Sequence, residues 1–492
     1  MTKNQSNTNK IIKGVSSQTL VTLFLGILEI VSFSIMSRLL TQEDFGYYAA
    51  IIAVSIVFSA LSDSGIGSAL IQRKEIDKEF INNAFTLSLL FGLLASILLC
   101  SFSGLLAKYI ADETMRIPLM LFSLTLLFSS ITSINISLMY RKLQFFKVGL
   151  IQLISLIITT IIAVILALKG FGFYAILTKA ILSIIITFIM TYFASGVKYK
   201  LAFNFSLYKK IVQFSGWLMA SSFFRLLSDQ IDRLLMTQLF SLNTLGIYTR
   251  PKEFITQISE RFCSIFDSAL FPVLSSIQDE NEKLKTSYLY AMYYMNIIGL
   301  LLSFVLLFNS ELIIRIFLGE NWMNVNSLFQ VLSISSLFLM NGRIGDIFLR
   351  SLAFTKQQFY LRIGQLIISI IFITIGYRWG IISVAVSAML AYVVLMLVKM
   401  FYIISKIKLS FYEVVFTLIN SFKMSIYIIP IYIICYFFIP NNISGNLLKL
   451  GIFITVIVFL FLLYPSLIGT KYKEEAHSKI ISIIKQKLLN NK

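Results

Sequence analysis

The chain has 492 residues, 58% of them hydrophobic and 13% charged, with a formal net charge of +19. A soluble domain is nearer roughly 45–50% apolar and about 25% charged, so a soluble globular fold is excluded. The basic residues are spread along the whole chain and not gathered into one patch, which excludes a nucleic-acid interface.

The first fourteen residues, MTKNQSNTNKIIKG, are polar and basic, and the apolar run after them is too long for a signal-peptide core, so no cleavable signal is expected. Apolar segments of roughly 20 residues, the length that crosses a bilayer, then recur to the end of the chain. They lack strand-type alternation, so they are read as helices, whose backbone polar groups are satisfied internally. The expected spans are 15–37, 45–71, 81–107, 117–139, 148–168, 173–194, 212–239, 246–274, 287–308, 325–349, 358–376, 380–402, 418–439 and 447–468. The fold class is therefore an all-α polytopic membrane protein of about fourteen transmembrane helices.

Lys and Arg alternate across these spans as the positive-inside rule requires. With the N-terminus in the cytoplasm, the inner connections collect, among others, Arg73, Lys74, Arg141, Lys142, Lys198, Lys200, Arg350, Arg362, Lys399, Lys406 and the tail lysines after Lys471. The outer ones collect only Arg38, Lys108, Arg116, Lys169, Arg315, Arg378 and Lys449. Both termini are expected inside. The tail KYKEEAHSKIISIIKQKLLNNK has apolar residues at helical spacing among lysines and is expected on the anionic inner leaflet, or solvated. Cys100, Cys263 and Cys435 lie inside apolar segments, and His477 is the only histidine, so neither a disulfide framework nor a Cys/His metal site is expected.

Two stretches repeat. MSRLLTQEDFGYY (36–48) returns as MTQLFSLNTLGIY (236–248), with Met36/Met236, Leu39/Leu239, Gly46/Gly246 and Tyr48/Tyr248 at a constant offset of 200. The same offset carries Glu29 onto Asp229. QFFKVGLIQLI (144–154) resembles QQFYLRIGQLI (357–367) at an offset of 213. Helices 1 and 7 both start on the inner side, so the halves are read as parallel six-helix repeats, and transporters built this way bind substrate between the halves. The expected organisation is 1–200, 201–410, two added helices in 411–470, and a basic tail 471–492. Gly46 and Gly246 are expected as turn points.

A charge at the bilayer centre costs roughly 2.5–3.5 kcal/mol, so intramembrane charges face partners or a wet cavity. Helix 7 carries Arg225, Asp229, Asp232 and Arg233; helix 8 carries Arg250, Glu253, Glu260, Arg261 and Asp267. Glu29, Asp63, Lys179, Arg343 and Asp346 lie in other helices. The set is read either as interhelical ion pairs or as the lining of a cavity. In the second case Arg225, Arg233 and Arg261, with Arg250, Lys179 and Arg343, are the candidate ligands of a phosphate or sugar. Glu29, Asp229, Asp232, Asp267 and Asp63 are the candidates for coupling to H+ or Na+. GIG (65–67) lacks the third glycine of a dinucleotide fingerprint and is read as close packing or the end of helix 2. KGFGFYA (169–175) is read as a tight outer turn, and no phosphate-binding loop of the ATPase type is present.

The stretches SRLLTQEDFGYYAAIIAVSIVFSALSDSGIGSALIQRKEID (37–77), FSGWLMASSFFRLLSDQIDRLLMTQLFSLNTLGIYTR (214–250) and FPVLSSIQDENEKLKTSY (271–288) resemble the polysaccharide exporters of the multidrug/oligosaccharidyl-lipid/polysaccharide (MOP) superfamily. The likeness is to the Wzx-type flippases of the WzxC/teichuronic acid exporter branch. It implies a monomeric, V-shaped, MATE-like pair of six-helix bundles in the bacterial inner membrane. The implied activity moves undecaprenyl-diphosphate-linked oligosaccharide, the repeat unit of O-antigen, capsule or a similar polymer, to the outer leaflet by alternating access. An ion gradient or the membrane potential would drive it, without a cofactor, and polymerase or assembly proteins are possible partners. The rival expectation is an ion-coupled drug or organic-cation antiporter of the same superfamily. A membrane enzyme is disfavoured because the outer connections are short and carry no histidine.

Overall fold

The computed structural model describes residues 24–62, 65–73, 76–110 and 112–439, with scattered positions at 21 and between 445 and 455. Among the described residues the chain is helical and holds no strand. Helix α1 spans 24–39, α2 Gln42–Ser62, α3 Ile66–Gln72, α4 Lys78–Ile110, α5 Arg116–Arg141, α6 Phe145–Leu168, α7 Phe173–Ser195 and α8 Phe205–Leu239. Then come α9 Leu242–Ser276, α10 Asn281–Phe308, the single turn α11 Ser310–Ile313, α12 Asn326–Ser351, α13 Thr355–Gly376, α14 Ile381–Ile407 and α15 Phe411–Phe438. Nine helices among the described residues are long and apolar enough to cross a membrane. Helices α8 and α9, 35 residues each, are long enough at about 1.5 Å per residue but carry more charge. The expected fourteenth helix and the basic tail lie outside the described residues.

Local chemistry places the breaks. Thr41 and Asp44 cap the start of α2 reciprocally: the Thr41 N–H donates to Asp44 Oδ2 (2.9 Å) and the Asp44 N–H to Thr41 Oγ1 (3.2 Å). At the same offset, Ser241 caps α9 by accepting from the Thr244 N–H (3.3 Å). The expected second helix is broken into α2 and α3 beside Gly65, whose φ of +66° suits glycine. Gly170 and Gly172, at φ of +81° and +53°, make the turn between α6 and α7. Asp112, in the connection after α4, accepts from the hydroxyl and N–H of Thr114, which hold its carboxyl below the ordinary range.

In the first half of the chain α4 packs on α5 and α2, and α7 on α5 and α6; in the second, α12 packs on α9, α10 and α14, and α13 on α8 and α14. Helix α2 joins them by crossing α8 and α9. Gly46 and Gly246 are not turn points but lie inside α2 and α9 at this crossing. A Cβ built on Gly46 would fall on the Leu242 carbonyl oxygen, and one built on Gly246 on the Gln42 carbonyl oxygen. Residues 42 and 242 are themselves repeat counterparts, so the contact is reciprocal about a local twofold. Ala49, Ala50 and Ala53 continue the small face of α2 and are buried.

Around the crossing lies the main apolar core, with Phe33, Met36, Phe45, Met236, Tyr248, Phe254, Trp322 and Phe329. The segment after α10 plugs one end of it. Trp322 Nε1 donates to the Ser37 carbonyl (2.9 Å), Arg38 to the Ile316 carbonyl (2.7 Å), and Gln42 to Asn324 Oδ1 (2.9 Å). Large apolar side chains face outward along α6 (Ile157, Ile161, Ile165) and α4 (Leu94, Ile97, Leu105), as lipid contact requires.

Gly46→Ala or Gly246→Ala forces α2 and α9 apart and is expected to destabilise the protein by about 1–3 kcal/mol or more, the range of overpacking changes. Gly104→Ala, in α4 with nothing within 4 Å of the added methyl, is expected to leave stability unchanged or raise it. Thermal unfolding in detergent separates the two cases.

Candidate functional site

The polar side chains of α8 and α9 sort into two faces. On α9, Lys252, Thr256 and Glu260 follow a four-residue spacing, and Glu253, Gln257, Arg261 and Ser264 form the neighbouring stripe. The first stripe, with Arg225, Asp229, Gln230 and Arg233 of α8, faces Arg343 and Asp346 of α12, Arg362 and Gln365 of α13, and Tyr392 and Lys399 of α14. Together they line a cavity of about 330 Å³ within the second half of the chain. The second stripe lines a more open space of about 420 Å³ with Arg233 and Arg261. Arg233, Thr256 and Glu260 border both, so the two spaces adjoin along the polar face of α8 and α9 and are treated together as one hollow. Among the described residues seven cationic side chains and four carboxylates line them, and Asp232, Asp267 and Glu29, outside the lining, pair with three of those cations.

Deep carboxylates here are already bound. Asp232, buried, is ion-paired with Lys252 and accepts from the Tyr248 hydroxyl (2.7 Å) and the Arg233 N–H (2.9 Å). Asp346 joins three helices, with Arg362 at 3.0 Å and Lys399 at 2.8 Å, and Arg362 also donates to Gln365 Oε1 (2.8 Å). Lys399 is 3% and Arg362 6% exposed. Glu253 is shared by Arg233 (3.2 Å) and Arg250 (3.3 Å). Burial of this kind is tolerable only with such pairing. Asp229 differs: its nearest cation is Arg225 at 3.8 Å, and both side chains are 44% exposed toward the cavity.

The structure brings Arg225, Asp229, Arg233 and Arg343 together on the cavity wall, with Arg261 on the open side. Arg261 is paired with Glu29 of α1, across the two halves. Asp232 sits behind the wall. Arg250 points away from the cavity into the α1–α2 core: it stacks on Phe33 and Phe45, 3.4 and 4.0 Å from the ring centroids, and donates to Ser37 Oγ (2.9 Å) and the Phe33 carbonyl (2.7 Å). Lys179 is on α7 and donates to Ser32 Oγ; among the described residues no carboxylate lies within 4.0 Å of it. Asp267 closes the far end of the polar stripe, with Arg343 and Arg350 each at 3.1 Å, and Arg343 also reaches Glu260 at 3.5 Å. Asp63 lies outside the described residues.

Arg362 and Lys399 are a correction to the sequence reading, which assigned both to inner connections. They stand inside α13 and α14 and pair with Asp346. The available signal was Lys399 itself, a single charge in an otherwise apolar run of α14 from Ile381 to Met400.

A profile of the family described as "Polysaccharide biosynthesis protein" matches residues 35–327. The lipopolysaccharide biosynthesis protein WzxC of Escherichia coli (strain K12) is 22% identical over 82% of this chain and 83% of its own. The teichuronic acid biosynthesis protein TuaB of Bacillus subtilis (strain 168) is 22% identical over 68% of this chain and 70% of its own. Among solved structures, the lipid II flippase MurJ in an inward closed conformation matches with a TM-score of 0.69 at 17% identity, covering 91% of this chain and 98% of that one. At that identity what is shared is the fold.

Asp346→Asn leaves Arg362 and Lys399 buried without a counter-charge and is expected to cost about 3–5 kcal/mol. Asp229→Asn, at a half-exposed pair, is expected to stay within about 1 kcal/mol. Equal losses of thermal stability for the two variants would contradict this division of roles.

Proposed function

This chain belongs to the polysaccharide biosynthesis protein family, and from that premise we propose that it is a Wzx-type flippase of lipid-linked oligosaccharide in the bacterial cytoplasmic membrane. The observation that carries the reading is the set of arginines, Arg225, Arg233 and Arg261, that borders the hollow beside α8 and α9. A polyprenyl diphosphate brings two phosphates and a chain of hydroxyls. Arg225, Arg233 and Arg261 supply fork-shaped donors for the phosphates, and Asp229, Glu260 and Gln365 supply acceptors for sugar hydroxyls. The polyprenyl tail stays in lipid while the head group occupies the hollow.

In this reading residues 1–200 and 201–410 move as two bodies about the α2–α9 crossing. With both termini in the cytoplasm, the α1–α2 connection faces outward, so the crossing with its Trp322 and Asn324 contacts closes the outer side. Rocking of the bodies exposes the hollow to each side in turn. An ion can drive that change only by binding one state better than the other. Asp229 is the carboxylate suited to such exchange, because Asp232, Asp267 and Asp346 are engaged by fixed cations. Arg250, Arg343 and Lys179 act through the pairs and the hydrogen bond they hold.

Membership of the polysaccharide biosynthesis protein family, together with arginines on the wall, sets this reading above a drug antiporter.

Arg225→Gln with Arg261→Gln removes charge-assisted bonds worth roughly 1.5–3 kcal/mol each to a bound anion. Translocation of a polyprenyl-diphosphate oligosaccharide in vesicles is expected to fall at least tenfold at unchanged protein insertion; an unchanged rate would sink the phosphate assignment. Asp229→Asn is expected to flatten the response of that rate to an imposed proton gradient, and a response equal to wild type removes Asp229 as the coupling site.

A further inference from the structure

Two lysines line the hollow with their charge already engaged. Lys252 and Lys399 sit on α9 and α14, each with its ammonium on a buried carboxylate, Asp232 and Asp346. A lysine ammonium is a compact point charge with three donors, the nearest a side chain comes to a monovalent metal cation. Space for Lys399 is built into the neighbouring helix. At Gly345, next to Asp346, a Cβ would stand 2.9 Å from Lys399 Cβ and 3.1 Å from its Cδ, so the absence of a side chain there forms the groove in which the lysine stem lies. We propose that Lys252 and Lys399 are tethered counter-ions that hold the positions an alkali cation would otherwise take, and that they make this carrier independent of Na+ and K+.

The charge around each carboxylate supports this. Asp346 already faces two cations, since Arg362 joins Lys399, so a further cation would enter a site of net positive charge. Asp232 has its acceptor capacity used by Lys252, the Tyr248 hydroxyl and the Arg233 N–H. Of the remaining wall carboxylates, Asp229 faces Arg225 at 3.8 Å and shares the lining with Arg362 and Lys252, and Glu260 meets Arg343 at 3.5 Å. An alkali cation needs several oxygen ligands whose charge is not already cancelled, and none of the four offers that. The inference rests on the flippase reading for its consequence in transport, but the occupancy itself is a property of the folded protein alone.

The test uses the purified full chain in detergent, with thermal unfolding followed in NaCl, KCl and choline chloride at matched ionic strength. Wild type is expected to unfold at the same temperature in all three. Lys399→Met is expected to unfold lower in choline and to regain a few degrees in NaCl or KCl, as free cation replaces the lost ammonium. Lys252→Met, at the other carboxylate, repeats the measurement should the first variant not fold. A wild-type midpoint that rises with Na+ or K+ over choline overturns the proposal, and so does a lysine variant that folds yet responds to all three salts alike. Neither result touches the flippase reading, which fails instead if wild-type vesicles do not translocate lipid-linked oligosaccharide in any of the salts.

Discussion

Two helices that start the same way in each half of the chain touch at their backbones, and the remaining architecture is arranged around that contact. Gly46 and Gly246 have no side chain because the Leu242 and Gln42 carbonyls stand where one would be. Such proximity lets α2 and α9 cross with their small faces together, and a close crossing of small residues is how helices associate where lipid offers no hydrophobic drive. The capped breaks at Thr41 and Ser241 aim both helices into the contact. The aromatic core of Phe33, Phe45, Phe254 and Trp322 then packs around it. A contact formed by two equivalent points is suited to rotation, because neither half must slide along the other for the angle between them to change.

What the crossing closes on one side, the ion pairs hold open beside it. A hollow lined by charge in a membrane protein would collapse or fill if its carboxylates and cations were free to choose partners. Here Asp346 ties α12 to α13 and α14, Asp232 ties α8 to α9, and Asp267 ties α9 to α12. Each tie is buried or half-buried, and each carboxylate faces more than one donor or cation, the condition under which an internal ion pair is tolerated. The wall that remains, with Arg225 and Asp229 at 3.8 Å and Arg261 reaching Glu29, is looser and more exposed, which is what a surface that must exchange partners requires.

Much of this was legible in the sequence, and the parts that were not have a common cause. Length and continuity of the apolar runs located helices along the described residues, but three starts were set six or seven residues late, at 212, 287 and 418 against Phe205, Asn281 and Phe411, and the span 45–71 is broken in two. The polar face of α8 was visible from its spacing, and so Arg225, Asp229 and Arg233 fall together on the cavity wall. Arg362 and Lys399 were misread because hydropathy assigns a charge near a helix end to the nearest connection, whereas their burial depends on Asp346 from another helix. Arg250 was misread for the same reason: Phe33 and Phe45, over which it stacks, lie some two hundred residues away. Gly46 and Gly246 looked like turn residues because a glycine after a capped break suits a turn; only the second helix explains them. In each case period and composition describe one helix, and the missing term was its neighbour.

The repeat also shows where the two halves parted. At the offset that superposes Gly46 on Gly246, the charged residues of the second half fall on apolar or small ones in the first: Arg225 on Leu25, Asp232 on Ser32, Arg233 on Phe33, Lys252 on Ile52, Glu253 on Ala53 and Arg261 on Leu61. Of the charged residues of α8 and α9, only Asp229 meets an acid, Glu29. The shared positions are those that build the crossing, and the differing ones build the hollow. Phe33 makes the asymmetry concrete, since it serves as the platform for Arg250 while its counterpart Arg233 lines the cavity. A symmetric pair of charged halves would repel across the interface. Placing the charge in one half lets the other present an apolar face at the crossing, with Glu29 meeting Arg261 and the Phe33 carbonyl and Ser37 hydroxyl meeting Arg250.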